Sequence, residues 1–421
     1  MDNKRILYIS YDGMTDNLGQ SQVIPYLSGL SKRGYSISIL SFEKKGHFKE
    51  NKEAIAKLLS ENAISWTPLR YTSKPPVLST LWDIRMMYKT AKKLCIEKGI
   101  TAVHCRSYIS ALVGLKLKES IGTRFIFDMR GFWADERVEG NIWNLRNPLF
   151  KTVYNYFKRL EIKFFNNSDF TICLTNAGKD HIMNRKDIKP DINIKVIPCC
   201  ADLNHFNYQN IKGETKSEIR KHFGYLPDNE IYTYLGSIGT WYLLDEMLDL
   251  FNEIHKSNIK ARFLFLTIDK PDFIIAKAEA KGLSKEFITI QKAKRAELPA
   301  LLSISKASVF FIKPSFSKTA SSPTKMGELM GMGIPLICNS NVGDVSHIMQ
   351  DTNAGIVVYS FEKENLHSIA LQCNDLESFS KEQIRDGALK WYSLEEGVDK
   401  YDSVYQSIWV SNRNSINYKH F

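Results

Sequence analysis

This chain carries a rhythm that runs twice. Short apolar runs of strand length are each followed by a longer stretch with helical spacing. In the first half the runs are RILYISY (5–11), SISILSF (36–42), ISWTPLR (64–70), ITAVHCR (100–106), RFIFDMR (124–130) and DFTICLT (169–175). In the second half they are IYTYLGS (231–237), ARFLFLTI (261–268), FITIQ (287–291), ASVFFIKP (307–314), PLICNS (335–340) and GIVVY (355–359). Continuous apolar strands that alternate with helices make parallel sheets covered on both faces. The sequence therefore predicts an α/β chain of two doubly wound domains facing across a cleft, with ligands at the carboxyl ends of the strands.

The boundary falls at IPCCADLNHF (197–206), where a proline and polar residues interrupt the rhythm. The expected domains are 1–200, 201–392 and a C-terminal helix and tail at 393–421. In SLEEGVDKYDSVYQSIWV (393–410), Tyr401, Val404, Tyr405 and Ile408 share one helical face that needs a support, and the first domain is the expected one. At 421 residues the chain is long enough for two cores.

No apolar run reaches about 18 residues, so no membrane span is expected. The opening MDNKRILYIS reads as a strand, not as the core of an export signal, and a cytoplasmic location is expected. Seven scattered cysteines without a CxxC suggest buried, reduced thiols. Charge is uneven. Residues 1–200 carry 32 Lys and Arg against 19 Asp and Glu, whereas residues 201–421 carry 25 against 27. A basic first half suits an anionic membrane surface or a phosphorylated acceptor, or simply a solvated surface. The helical stretch near 148–166 is aromatic and carries Lys151, Lys158, Arg159 and Lys163. It reads either as a membrane-lying face or as core with basic edges.

Four loops that follow strands carry candidate chemistry. In SSPTKMGELMGMGIP (321–335), Ser322 is the expected helix cap, Pro323 suits the first turn, and Gly333 and Pro335 stop the helix. A helix N-terminus attracts anions, and Lys325 adds a full charge there. Glu328 shares its face and can accept two hydroxyl hydrogens from a ribose diol. The competing reading is a solvated i,i+3 ion pair. The second loop, YLGSIGTWYLLDEM (234–247), offers Gly236, Ser237, Gly239 and Thr240 for close approach to a phosphate. The third, YDGMTDNLGQSQ (11–22), has Gly13 and Gly19. The fourth, FDMRGFWADERVEG (127–140), gathers Asp128, Arg130, Asp135, Glu136 and Arg137 around Phe132 and Trp133, a mixture suited to carbohydrate. His104 and Arg106 run towards the same edge, and a satisfied core histidine is the plainer reading of His104.

Neither glycine loop matches GxGxxG, which disfavours an NAD-dependent enzyme. HExxH, GxSxG and GxxxxGK[ST] are absent, as is any Asp-x-Asp that would hold a diphosphate through a metal.

Taken with VIPCCADLNHF, YLGS, ELPALLSISKASVFFIKPS, SPTKMGELMGMGIPLI and VDKYDSVY, these motifs resemble the family-four glycosyltransferases of GT-B fold, of bacterial surface-polysaccharide type. The resemblance implies transfer of a sugar from a nucleotide-diphosphate donor, with retained anomeric configuration, to a saccharide or lipid-linked acceptor. It implies no metal, no other cofactor and no nucleic-acid partner. Lys325, Glu328, Arg130 and Asp135 are the implied catalytic residues. Gly19, Gly236, Ser237, Gly239, Thr240, Ser322, Thr324, Lys325 and Glu328 are implied for the donor, and Arg106, Asp128 and Trp133 for the acceptor. Two departures stand out. Ala320 lies where many members carry a glutamate, and Ser237 with a Thr-Trp-Tyr run replaces an arginine and a lysine. A non-catalytic nucleotide-sugar-binding subunit is therefore the alternative.

Overall fold

The computed structural model describes residues 4–75 and 77–416. The tail beyond Ile416 lies outside the described residues. The chain divides into two compact units. Unit 1 comprises the residues up to Pro198 together with those from Leu394 onwards, and unit 2 is Cys199–Ser393.

Unit 1 holds β1 (Arg5–Ser10), β2 (Ser36–Glu43), β3 (Ser65–Arg70), β4 (Ala102–Arg106), β5 (Arg124–Asp128), β6 (Phe170–Cys173) and β7 (Ile194–Val196). They form one parallel sheet in the order β3-β2-β1-β4-β5-β6-β7. Unit 2 holds β8 (Glu230–Leu235), β9 (Ala261–Leu266), β10 (Ile288–Gln291), β11 (Ser305–Phe310), β12 (Leu336–Asn339) and β13 (Gly355–Val358), in the order β10-β9-β8-β11-β12-β13. Each sheet runs outward from its first strand and then reverses. This is the Rossmann-like order, with a switch point between β1 and β4 in one unit and between β8 and β11 in the other. β7 is the strand that the apolar pattern missed. It is three half-buried residues at a sheet edge, too short to register.

The strands are apolar because both faces are covered. Ile6, Leu7, Ile9, Val103, Phe125 and Phe127 in unit 1 are fully buried or nearly so, as are Ile231, Phe263, Phe265, Val309 and Ile337 in unit 2. The helix Leu394–Ile416 belongs to unit 1 and packs on the helix Ile24–Lys32. Tyr401, Val404, Tyr405 and Ile408 form its buried face. Gly29 permits this contact, because a Cβ there would lie 2.6 Å from a Val398 methyl. All seven cysteines are buried. Among the described residues no helix is long and apolar enough to cross a membrane.

Candidate functional site

The carboxyl ends of β8 and β11 flank the switch point of unit 2. β8 runs into Gly236, and the loop after β11 leads to the helix Thr324–Gly331. Its cap differs from the expectation. Pro323 is the N-cap, and Ser322 leaves the helix free because its hydroxyl accepts from the Cys199 amide at 3.2 Å. Proline suits the entrance to a helix, since it has no N–H to satisfy. The far end stops as expected, with Gly333 at φ +62°.

Lys325 and Glu328 are not a solvated ion pair. They are 8% and 6% exposed, and each faces different neighbours. The Lys325 ammonium lies 3.7 Å from the ring centre of Tyr242 and 4.2 Å from that of Tyr234. It has no hydrogen-bond acceptor among the described residues. Burial pushes its pKa down from 10.5 to about 7, with Glu328 and Asp269 opposing. The aromatic faces return part of the lost solvation. Gly236 roofs this ammonium. Its φ is +106°, and a Cβ there would sit 3.1 Å from Lys325 Nζ. Only glycine meets both demands without strain.

The Gly236–Thr240 loop is itself braced. The Asp269 carboxylate accepts from the Ile238 amide (2.6 Å), the Thr267 hydroxyl (2.8 Å) and the Ser237 hydroxyl (3.3 Å). The Tyr234 hydroxyl donates to the Ser237 carbonyl at 2.8 Å. Gly239 has φ +50°, and Thr240 is exposed beside it. Glu328 accepts from Arg295 Nη1 at 2.6 Å, and Arg295 stacks on Phe206. Burial raises the Glu328 carboxyl above its usual range, while Arg295 opposes that rise. Thr324 is half-buried at the first position of the helix, and Ala320 is fully buried at the end of the preceding turn. Sequence reasoning overlooked Arg295, Asp269, Tyr234 and Tyr242. Only Asp269, a lone carboxylate just past a strand end, left a visible signal.

In unit 1 the switch point carries a buried polar cluster. His104 Nδ1 lies 2.7 Å from the Tyr405 hydroxyl, and Nε2 lies 3.5 Å from Asp128. Tyr401 donates to Asp128 at 3.3 Å. Burial raises Asp128, but Arg130, His104 and Arg106 outweigh it and hold the carboxyl low. Arg106 is 5% exposed, with Nε 3.4 Å from Asp12 and Nη1 without an acceptor among the described residues. Arg130 takes an unusual φ of +57° and reaches within 3.8 Å of Asp128.

Asp135 and Trp133 are engaged elsewhere. Asp135 accepts from Tyr154 and Lys158, both at 2.8 Å, in a network that includes the fully buried Glu161. The Trp133 ring stacks on Tyr108, meets Trp143 and Phe157 edge-on, and has the Arg137 guanidinium 5.1 Å from its centre. Gly19 lies in the short helix Asn17–Gln22, pressed so close to Gly13 that a Cβ would meet the Gly13 carbonyl at 2.3 Å. Its role there is close packing of one backbone on another.

Two Rossmann-like units, the second with an ammonium buried beneath a glycine at its switch point, define a GT-B-type protein. The model for Glycosyltransferase Family 4 matches residues 21–205, and that for Glycosyl transferases group 1 matches residues 215–385. The chain belongs to the family-four glycosyltransferases of GT-B fold. Among curated proteins none matches the sequence. Solved structures share the fold at low identity. A glycosyltransferase from Rickettsia africae is 17% identical with a TM-score of 0.69, over 97% of this chain and 99% of its own. The sucrose-phosphate synthase of Thermosynechococcus elongatus is 13% identical with a TM-score of 0.70, over 97% and 100%. Anabaena HepE, solved in complex with UDP-glucose, is 12% identical with a TM-score of 0.69, over 96% and 99%.

Proposed function

We propose that this glycosyltransferase moves a hexosyl or N-acetylhexosaminyl group, with retention, from a nucleotide-diphosphate donor to a saccharide or lipid-linked acceptor. The reading extends to surface-polysaccharide assembly on the cytoplasmic side of a membrane. The observation that carries the donor assignment is the Lys325 ammonium, buried, without a hydrogen-bond acceptor and next to the Gly236 backbone.

A departing nucleoside diphosphate gathers negative charge as the bond to the sugar breaks. A cation fixed in place beforehand stabilises that charge without reorganising at the moment of reaction. Lys325, protonated once the donor diphosphate lies beside it, meets this need together with the amino end of its helix. Burial sharpens the effect, because a charge held away from water interacts more strongly with a charge that arrives beside it. Glu328 takes the ribose diol. Arg295 holds one carboxylate oxygen and so fixes the direction of the other. That HepE was solved with UDP-glucose supports a nucleotide sugar as donor. With Lys325 as the counter-charge, the reaction needs no divalent cation. On unit 1, Arg106, Asp128 and Arg130 form the acceptor side.

Peripheral membrane contact is part of the reading. Leu78, Leu81 and Trp82 are 57–64% exposed on the helix Leu78–Lys98, beside Arg85 and Lys116. Such a mixture suits an anionic lipid surface.

The test is incubation of purified protein with a panel of radiolabelled nucleotide sugars. Slow release of free sugar from one donor is the expected result. Donor binding with complete chemical silence favours the alternative, a non-catalytic binding subunit, which the buried Ala320 motivates.

A further inference from the structure

Unit 1 carries a feature that the donor chemistry does not use. Where β2 and β3 end, the helix Lys45–Glu61 and the end of β3 frame a groove of about 610 Å³. Half-buried Phe48 and Leu69 give it an apolar floor. Lys45, Lys49 and Lys52 stand on one helix face, at spacings of four and three, and Arg70 closes the far side. Among the described residues none of these four cations pairs with a carboxylate. Lys52 instead lies 5.4 Å from the Phe48 ring centre.

Two carboxylates border the groove, Glu43 and Glu53. Glu43 is already engaged, because it accepts from the amides of Met14 and Thr15 and from the hydroxyls of Thr15 and Ser41. Only Glu53 remains to balance four cations. Those same bonds fasten the groove to the Gly13 turn that follows β1. β2 stands two strand spacings, roughly 10 Å, from β4, which ends in Arg106.

We propose that this groove holds the distal part of an acidic saccharide acceptor, one that bears carboxylate or phosphate substituents. The word acceptor rests on the glycosyltransferase reading above. Sugar rings present C–H faces that lie on Phe48 and Leu69, and their anionic substituents meet the rim of cations. A saccharide suits the shape better than a lipid surface does, since the apolar residues form a floor and do not project.

The test titrates the full-length protein with a galacturonate hexamer and with maltohexaose, a neutral chain of equal length. The acidic chain is expected to bind at least about tenfold more tightly and to weaken as salt rises. Lys49→Glu with Lys52→Glu, at two exposed positions, and separately Arg70→Ala, are expected to lower that affinity at least about tenfold and several-fold respectively. Equal binding of the two chains overturns the proposal, as does indifference to the variants. Equal displacement by tripolyphosphate, or capture by anionic vesicles that the double variant abolishes, overturns it in favour of bare charge or lipid. Thermal stabilisation by UDP, GDP, ADP and dTDP is followed in the same samples. Failure of all four counts against the donor reading, whereas the saccharide titration still judges the groove.

Discussion

Replacing Lys325 with methionine isolates the physical claim on which the donor site depends. Lys325 has a pKa near 7 in the folded protein and 10.5 as its ordinary value. When the group is protonated, that difference costs the folded state about 5 kcal/mol, at 1.36 kcal/mol per decade. The sign follows from proton counting. Between pH 7 and 10.5 the unfolded chain binds the proton that the folded chain has lost, so stability rises with pH there. The full penalty stands below pH 7 and vanishes above 10.5. Contact with Tyr234 and Tyr242 returns about 1–2 kcal/mol. Lys325→Met should therefore stabilise the ligand-free protein by about 2–4 kcal/mol at pH 7, and by much less at pH 10. The same lysine predicts proton uptake. At pH 8 a group with a pKa near 7 is about one-tenth protonated, and a diphosphate beside it restores the charge. Binding of UDP should take up about 0.9 proton, read as the slope of calorimetric enthalpy against buffer ionisation enthalpy in HEPES and Tris. Lys325→Met should abolish the uptake and most of the affinity. A variant less stable than the parent at pH 7, together with UDP binding that moves no proton, would refute the reasoning.

The remaining expectations concern neighbouring parts. Lys325→Ala should weaken UDP binding far more than uridine binding, whereas Glu328→Ala should weaken both by about 1.5–3 kcal/mol through the ribose; equal losses of UDP and uridine in Lys325→Ala count against a phosphate role. Tyr405→Phe removes the 2.7 Å partner of buried His104 and should cost about 1–3 kcal/mol in urea unfolding. A midpoint that does not move would mean that the Tyr405–His104 hydrogen bond adds nothing to the hold on the C-terminal helix. Excess EDTA should leave donor turnover unchanged, and activity that collapses and returns with added magnesium would contradict a lysine-based counter-charge.

The twofold rhythm of apolar runs made two parallel sheets legible because a strand buried on both faces must be apolar throughout. It also located the ends of those strands, and with them the Gly236 loop and the Lys325 helix. The spacing of Lys325 and Glu328 showed that they share a helix face, but periodicity carries no information about which atoms meet that face. Tyr234 and Tyr242 stand more than eighty residues before Lys325, and Arg295 stands 33 before Glu328. Their encounters arise only when β8 and β11 pair. For the same reason Trp133 reads in sequence as an open platform for sugar, yet its half-buried ring packs on Tyr108 and Phe157 from other helices. The two sheets and the strand ends where chemistry gathers were readable from the residue order, because burial pattern is local and periodic. Only the packed fold placed Lys325 in a ring-lined burial that lowers its pKa, and Glu328 against Arg295, because side chains distant along the chain supply those surroundings.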